Sequence, residues 1–78
     1  MTNVRVTYDG EANAAYVYLN HPEVRQRVAH TYPCDPAAVG GMINLDFDKD
    51  GRLVGIEVLD AGTKLPQYLL DAAERLDT

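Results

Sequence analysis

The chain has 78 residues, a formal net charge of −5 at pH 7 and one cysteine. A chain of this length forms one domain, residues 1–78, that buries only about 60% of its unfolded surface, so association with another chain is physically plausible. The 46% hydrophobic and 24% charged residues exclude a disordered chain. The 7 Lys and Arg are scattered among 12 acidic residues, which argues against a nucleic-acid partner because such binding needs clustered positive charge.

The cysteine and the hydropathy pattern predict where the chain resides. Cys34 is alone and cannot form an internal disulfide, which fits a reducing compartment. No signal-peptide pattern follows Met1, and no apolar run approaches membrane-spanning length. We therefore expect a cytoplasmic protein without a membrane partner.

The N-terminal residues predict a hairpin. Apolar and polar residues alternate over residues 3–8 and again over residues 14–20, with a polar turn between them. Pro22 ends this pairing because proline has no N–H to donate to a neighbouring strand.

A third strand is predicted at residues 24–32. Its polar side carries Arg25, Arg27 and Thr31. Residues 33–41 then hold two prolines and a glycine pair, which indicates a loop.

Residues 42–60 predict a central hairpin, with strands at 42–48 and 52–60. The apolar residues have odd numbers in the first strand and even numbers in the second: Ile43, Leu45 and Phe47, then Val54, Ile56 and Val58. Residues that pair directly point to the same face, so the two sets share a core only if paired numbers sum to an odd value.

Two loops of the central hairpin satisfy this parity. A two-residue Asp50-Gly51 loop pairs Phe47 with Val54, and a four-residue loop pairs Phe47 with Arg52. A three-residue loop would turn one apolar set to solvent. Both alternatives stay open, with the two-residue loop favoured as a type I′ turn in which Gly51 has a positive φ.

After Gly62 the hydrophobic period changes from 2 to 3.6, which predicts a helix over residues 65–76 with Pro66 in its first turn. The helix should cover the sheet face that carries Val4, Val6, Val17, Leu45 and Ile56. We predict an α+β fold: an antiparallel, meander-like sheet of five strands with one C-terminal helix packed on one face.

Two stretches resemble a small bacterial family, domain-of-unknown-function family 2283. They are Tyr8-Asp9 with Ala14-Ala15-Tyr16-Val17, and the run from Asp46 to Ala61 that contains Asp-Gly-Arg-x-Val-Gly-Ile-Glu. Asn13 stands where the family more often has an acid, and Gly10 where proline is frequent. The resemblance implies the β-rich fold with a C-terminal helix and a cytoplasmic bacterial setting. It implies no activity and therefore no catalytic residues.

One acidic run matches the pattern of an EF-hand calcium loop: Asp46, Asp48, Asp50 and Gly51, with Glu57 six residues further on. An EF-hand needs a helix on each side, whereas both flanks here predict strands, which spread the acids along a sheet face. Calcium binding at Asp46–Glu57 is therefore a remote alternative, and we predict no metal and no other cofactor.

The remaining reactive side chains form no catalytic set in the sequence. His21 and His30 lack companions with zinc-ligand spacing. Cys34 near His30 suggests a thiol–imidazole pair, but no third group is evident to orient it. We predict no catalytic residues.

The sheet face opposite the helix, here called the outer face, is the candidate interaction surface. By alternation the outer face includes Arg5, Thr7, Asn44 and Asp46, besides the contact residues named at the end of this paragraph. Gly55 on the same face leaves room for a tyrosine or a partner. Tyrosine, leucine and arginine together are typical of interface cores, although tyrosines also suit an ordinary strand surface. The predicted contact residues are Tyr16, Tyr18, Arg25, Arg27, Leu53, Glu57 and Leu59.

Two functions follow as hypotheses. The first is a non-enzymatic protein-interaction module that forms a homodimer or binds another protein. The alternative is a small-ligand binder or weak enzyme that uses Asp46 and Glu57 beside the tyrosines. A flat sheet with one helix offers little concavity for a ligand, so an enzyme is the less favoured hypothesis.

Overall fold

A computed structural model describes residues 4–21, 23–24 and 27–77 of the chain. Six strands form one sheet: β1 (Arg5–Asp9), β2 (Ala14–Tyr18), β3 (His30–Pro33), β4 (Ile43–Phe47), β5 (Leu53–Leu59) and β6 (Glu74–Arg75). Three short helices accompany them: α1 (Pro36–Val39), α2 (Ala61–Lys64) and α3 (Gln67–Ala72). None of the helices in the described residues is long and apolar enough to cross a membrane.

The sheet is mostly antiparallel, with the spatial order β3-β4-β5-β2-β1-β6. The α+β class is confirmed, but the prediction of five strands and one helix is wrong in detail. The sixth strand arises where helix 65–76 was expected: α3 ends at Ala72, and Glu74–Arg75 pairs parallel with β1. A 2.7 Å ion pair between Arg5 and Glu74 and the Leu76 N–H bond to the Tyr8 carbonyl hold it there.

The central hairpin has the predicted register along most of its length. Ile43 lies opposite Val58, and the pairing continues to Asp46 opposite Gly55 before the register shifts at Phe47, which lies opposite Leu53. This β-bulge accommodates a three-residue loop, 49–51, without turning an apolar set to solvent. The predicted two- and four-residue loops are therefore both wrong.

Gly51 does have a positive φ, of 83°, as predicted. Asp50 is not among the non-glycine residues with positive φ, so the turn is not type I′. The Gly51 N–H instead donates to the Asp48 carbonyl, and the Asp48 N–H donates to the Arg52 carbonyl. This pattern matches the three-residue hairpin loop that ends in a left-handed glycine.

The third strand is much shorter than the predicted 24–32. Only His30–Pro33 pairs with β4, while Val24 and Val28 are 58% and 47% exposed, and residues 25–26 lie outside the described residues. The Cys34 N–H donates to the Ile43 carbonyl on β4. Successive backbone nitrogens point to opposite sides of a strand, so the backbone nitrogen of Pro33 faces away from β4. Proline at that position withholds a donor from the sheet edge, which discourages pairing with another strand.

The main buried cluster lies at one end of the sheet, and Val54, at 1% exposure, is buried separately towards the hairpin end of β5. Helices α2 and α3 pack at the main cluster through Ala61 and Leu70 against Ala15 and Val58. The half-buried residues around this cluster are Tyr8, Ile43, Ile56 and Leu65. Phe47, predicted in the core, is only half-buried and lies outside the cluster.

Asn13 connects the first turn to the start of α2. Its side-chain oxygen accepts bonds from the Tyr8 hydroxyl and the Gly62 N–H, and its amide nitrogen donates to Asp60 Oδ1 at 3.0 Å. Asn13 and Asp60 both adopt left-handed backbone conformations, with φ of 53° and 55°. Asparagine suits this position because it tolerates that conformation and offers both a donor and an acceptor.

Candidate interaction surfaces

The outer face is organised around Tyr16 and Asp46. Tyr16 is paired with Glu57 in the register, but its ring lies over Gly55 and its hydroxyl donates to Asp46 Oδ2 on β4. A Cβ atom on Gly55 would overlap the ring and hydroxyl of Tyr16. The prediction that Gly55 leaves room for a neighbouring tyrosine is confirmed.

Asp46 is buried, at 9% exposure, as is Thr7, at 2%, on the same face. The other oxygen of Asp46, Oδ1, accepts from the Thr31 hydroxyl at 2.6 Å. Glu57 accepts from the Asn44 amide at 2.8 Å. Each of the two candidate acids is therefore engaged by hydroxyl or amide donors of the same chain.

Aromatic contacts extend this arrangement towards β1. The Tyr16 and Tyr18 ring centroids lie 4.6 Å apart, and the Arg5 guanidinium lies 4.8 Å from the Tyr18 centroid. Arg5 also pairs with Glu74, whose hydrogen bond and charge raise the pKa of the Arg5 guanidinium. The tyrosines are thus fixed by contacts within the chain, which pre-organises them.

The other predicted contact residues are more dispersed. Leu53 is 37% exposed and lies opposite Phe47 beyond the β-bulge, so its predicted place on the outer face is wrong. The half-buried Leu59 lies on the outer face opposite Ala14. Arg27 is exposed but belongs to no strand, so its predicted place on the sheet face is wrong. Arg25 lies outside the described residues.

The acids of the EF-hand-like run have separate partners. Asp48 Oδ1 accepts from the backbone N–H groups of Asp50 and Arg52, both at 2.9 Å, and thereby shapes the hairpin loop. Among the described residues, no three His, Cys, Asp or Glu side chains are placed to share a metal ion. His30 and Cys34 lie about 13 Å apart if strand geometry holds between them, too far for a thiol–imidazole bond.

A cleft of about 410 Å³ lies at the tip of the central hairpin. Its walls carry both charge signs, from Arg27 and Lys49 and from Asp48 and Asp50. Neither Asp46 nor Glu57 lines it. The cleft therefore does not contain the two acids that were proposed for ligand chemistry.

The opposite face of the sheet carries a surface that sequence reasoning assigned to the core. Five apolar residues lie in direct register across five strands, one from each, and we call them the apolar row: Val6, Val17, Ile56, Leu45 and Tyr32. At a strand spacing of about 4.8 Å the apolar row is about 19 Å long.

No residue of the apolar row is fully buried. Val6, Val17, Leu45 and Ile56 are half-buried, and Tyr32 is 55% exposed. Among these, only Ile56 packs against the buried cluster. Val4 and Leu19, at 47% and 37% exposure, add apolar surface just before β1 and just beyond β2.

The length of the helix explains why the row is not fully buried. The predicted helix of 12 residues would extend about 18 Å, whereas α3 has 6 residues and extends about 9 Å. The shorter helix packs on the neighbouring row through Ala15 and Val58, and of the apolar row only Ile56 packs against this cluster. Periodicity overestimated the length of α3, so the partial exposure of the row could not be predicted from the sequence.

Comparison with known proteins relates the chain to a protein family. The model of a family described as protein of unknown function (DUF2283) matches residues 5–61, which confirms the resemblance seen in the sequence. The match extends from β1 to the first residue of α2. No curated protein and no solved structure gave a significant match.

Proposed function

We propose that this chain, which belongs to the DUF2283 family of proteins of unknown function, is a non-enzymatic protein-interaction module. The contact surface of the module is the apolar row. A single observation carries the proposal: five apolar side chains lie in register across the sheet, none of them is fully buried, and Tyr32 at the end of the row is 55% exposed. Contiguous exposed apolar surface of this kind marks interaction sites in soluble proteins.

The energetic gain from covering the row is large for so small a domain. Each 100 Å² of apolar surface removed from water contributes about 2.5 kcal/mol before the cost of association is subtracted. A domain of this size is itself stable by only about 5 kcal/mol. Binding through the row would therefore stabilise the fold as well as the complex.

The outer face is a second candidate surface for the same function. The stacked Tyr16 and Tyr18 with Arg5 provide aromatic and guanidinium groups that interfaces favour. Their pre-organisation would lower the entropic cost of binding. The apolar row is favoured because the outer-face groups already satisfy one another, whereas a partner would remove from water the apolar surface that the row still exposes.

The ligand-binding alternative has less support. Asp46 and Glu57 are engaged by Tyr16, Thr31 and Asn44, and the hairpin cleft lies elsewhere. A thermal-shift screen with metal ions, nucleotides and common metabolites tests this alternative. A ligand at a hundred times its dissociation constant adds about 2.7 kcal/mol to stability, so a clear rise in melting temperature would favour it.

Site-specific photo-crosslinking tests the proposed function. A photoreactive phenylalanine derivative replaces Tyr32 in the apolar row, Tyr18 on the outer face, or Tyr68, which is 74% exposed on α3. The proteins are expressed in the native host and irradiated. We expect a discrete cross-linked species from position 32 and none from the control position 68.

Each result of this experiment has a defined meaning. A species from position 18 alone would transfer the function to the outer face. Equal, diffuse labelling from all three positions would overturn the proposal, because a specific surface must label above the exposed control.

A further inference from the structure

We infer that residues 74–77 form a strap that opens independently of the rest of the fold and protects the β1 edge of the sheet from strand addition. In the closed state the strap pairs with β1 in the place that a strand of another chain would take. In the open state that place is free. The inference concerns an edge of the sheet and does not depend on the apolar row.

The first contacts of the strap lie along β1. The Leu76 N–H donates to the Tyr8 carbonyl at 3.0 Å, and Glu74 pairs with Arg5 at 2.7 Å. The strand pairing is parallel and covers two residues of β6, and parallel pairing is slightly less stable per residue than antiparallel pairing. The side chains of the ion pair are 50% and 54% exposed, and exposed ion pairs contribute little to stability and are weakened by salt.

The end of the strap docks at Gly10, in the turn between β1 and β2. Arg75, which donates to Asp77 at 2.9 Å, and the backbone N–H of Gly10 lower the pKa of the Asp77 carboxyl to about 2. A Cβ atom on Gly10 would lie 2.6 Å from the side-chain ends of both Arg75 and Asp77. Gly10 is not among the glycines with positive φ, so its backbone is compatible with alanine. The missing side chain therefore provides space for the strap.

Apolar burial does not hold the strap closed. Leu70 in α3 is 4% exposed, and none of the described residues after it is buried. Ala73, between α3 and the strap, has an extended backbone with φ of −71° and ψ of 153°. A rotation at Ala73 would detach the strap and leave Leu70 in the main cluster. Segments with few buried apolar contacts and exposed hydrogen bonds open at a lower free energy than the whole fold.

The two edges of the sheet are protected in different ways. On the β3 edge, Pro33 has no N–H to offer to an added strand, and this protection is permanent. On the other edge, β1 has five residues, and the strap pairs with Thr7 and Tyr8 near its middle. The unpaired backbone groups of an edge strand are a template for pairing with another chain. Opening of the strap would therefore convert a protected edge into an available one.

Amide hydrogen exchange of the wild-type chain at a series of low urea concentrations tests whether the strap opens independently. The Leu76 N–H should exchange faster than the Leu59 N–H, which donates to the Met42 carbonyl. Exchange at Leu76 should be nearly independent of urea, because opening of the strap exposes little surface, whereas exchange at Leu59 should rise steeply. Equal rates with equal urea dependence would mean that the strap leaves only when the whole fold does, and would overturn the inference.

A charge reversal with a matched control tests the contacts that hold the strap. Arg5→Glu places a second carboxylate against Glu74, and Arg52→Glu makes the same change of charge beside the hairpin loop. Exchange at Leu76 should be at least about threefold faster in Arg5→Glu than in Arg52→Glu. Arg5→Glu combined with Glu74→Arg should return the rate towards that of wild type. Gly10→Ala should also speed exchange at Leu76, because the added methyl displaces the end of the strap.

Protection of the edge has its own readout, the rate at which the concentrated chain forms aggregates that bind thioflavin T. Arg5→Glu and Gly10→Ala should aggregate at least about threefold faster than their controls, Arg52→Glu and Gly41→Ala, and the charge swap should aggregate slowly again. Circular dichroism shows that the variants compared are folded. Faster exchange at Leu76 without faster aggregation would overturn the protective role, and no change in exchange in either strap variant would overturn the strap itself.

Discussion

Gly55 is buried beneath the side chain of Tyr16, whose hydroxyl reaches across the glycine to the carboxylate of Asp46. A methyl group at position 55 and the Tyr16 ring cannot occupy the same space. The glycine on β5 therefore permits a contact between β2 and β4, which are not neighbours in the sheet.

Gly55→Ala should destabilise the chain by about 1–3 kcal/mol, because the ring must leave its place and lose its bond to Asp46. Truncation of the ring should relieve the overlap, so Gly55→Ala should cost much less in a Tyr16→Ser background. Urea unfolding of the four proteins in this cycle gives the coupling. Gly41→Ala is the control, since the added methyl would meet only the flexible end of Lys64. Additive costs at positions 16 and 55 would contradict the contact.

The hairpin loop provides the second prediction. Asp48→Ala removes the acceptor of two backbone N–H groups and should cost about 1–2 kcal/mol. Asp48→Asn keeps a side-chain oxygen and should cost less than about 0.5 kcal/mol. Gly51→Val should cost at least about 1–2 kcal/mol from backbone strain alone, since no atom lies within 4 Å of the added Cβ.

Calcium discriminates between this account of the loop and the EF-hand alternative. The melting temperature of the wild-type chain should not change with millimolar calcium, because the acids of the run already have separate partners. A calcium-dependent rise that Asp48→Asn abolishes would contradict the account.

Alternation in the sequence correctly divided the central strands between two faces. Ile43, Leu45, Ile56 and Val58 share one face, and Asn44 and Glu57 lie on the other. The parity rule succeeds because side chains alternate strictly along a strand. It failed at Phe47, where a bulge adds one residue to the count, and a bulge has no signature in a hydrophobic pattern.

Periodicity also misjudged the C-terminal segment. Residues 65–76 have helical spacing, yet Glu74 and Arg75 extend along β1, where Arg5 and Asp77 provide ion-pair partners. Tertiary pairing outweighed local propensity. The length of the helix, and with it the exposure of the apolar row, therefore could not be read from the spacing.

The third prediction concerns the corner between Asn13 and Asp60. Asn13→Asp keeps a residue that tolerates positive φ but replaces the donor to Asp60 with a second carboxylate. At pH 7 the variant should lose about 1 kcal/mol. Near pH 3 the loss should decrease, since a protonated carboxyl can again donate. Urea midpoints relative to wild type at the two pH values measure this. The same loss at both would contradict the proposed role of the Asn13 amide.

The fourth prediction is a pH dependence at Asp77. The hydrogen bond from Arg75 lowers the pKa of the Asp77 carboxyl from its ordinary 3.8 to about 2. A folded-state pKa below the unfolded value means that the contribution to stability is complete above about pH 4 and is lost as the pH falls towards 2. Wild type should therefore lose its advantage over Asp77→Asn across that interval. Urea midpoints from pH 6 to 2 provide the comparison, and a constant difference would contradict it.

The central claim is that the apolar row, and not the outer face, is the surface that becomes covered. The most direct measurement is the broadening of methyl NMR signals by a soluble paramagnetic probe, with the labelled chain in buffer and in a concentrated extract of its native host. We expect the methyl groups of Val6, Val17 and Ile56 to become protected in the extract, while those of Leu59 on the outer face stay equally accessible. Protection of Leu59 without protection of the row, or no change at any of these methyl groups, would contradict the account.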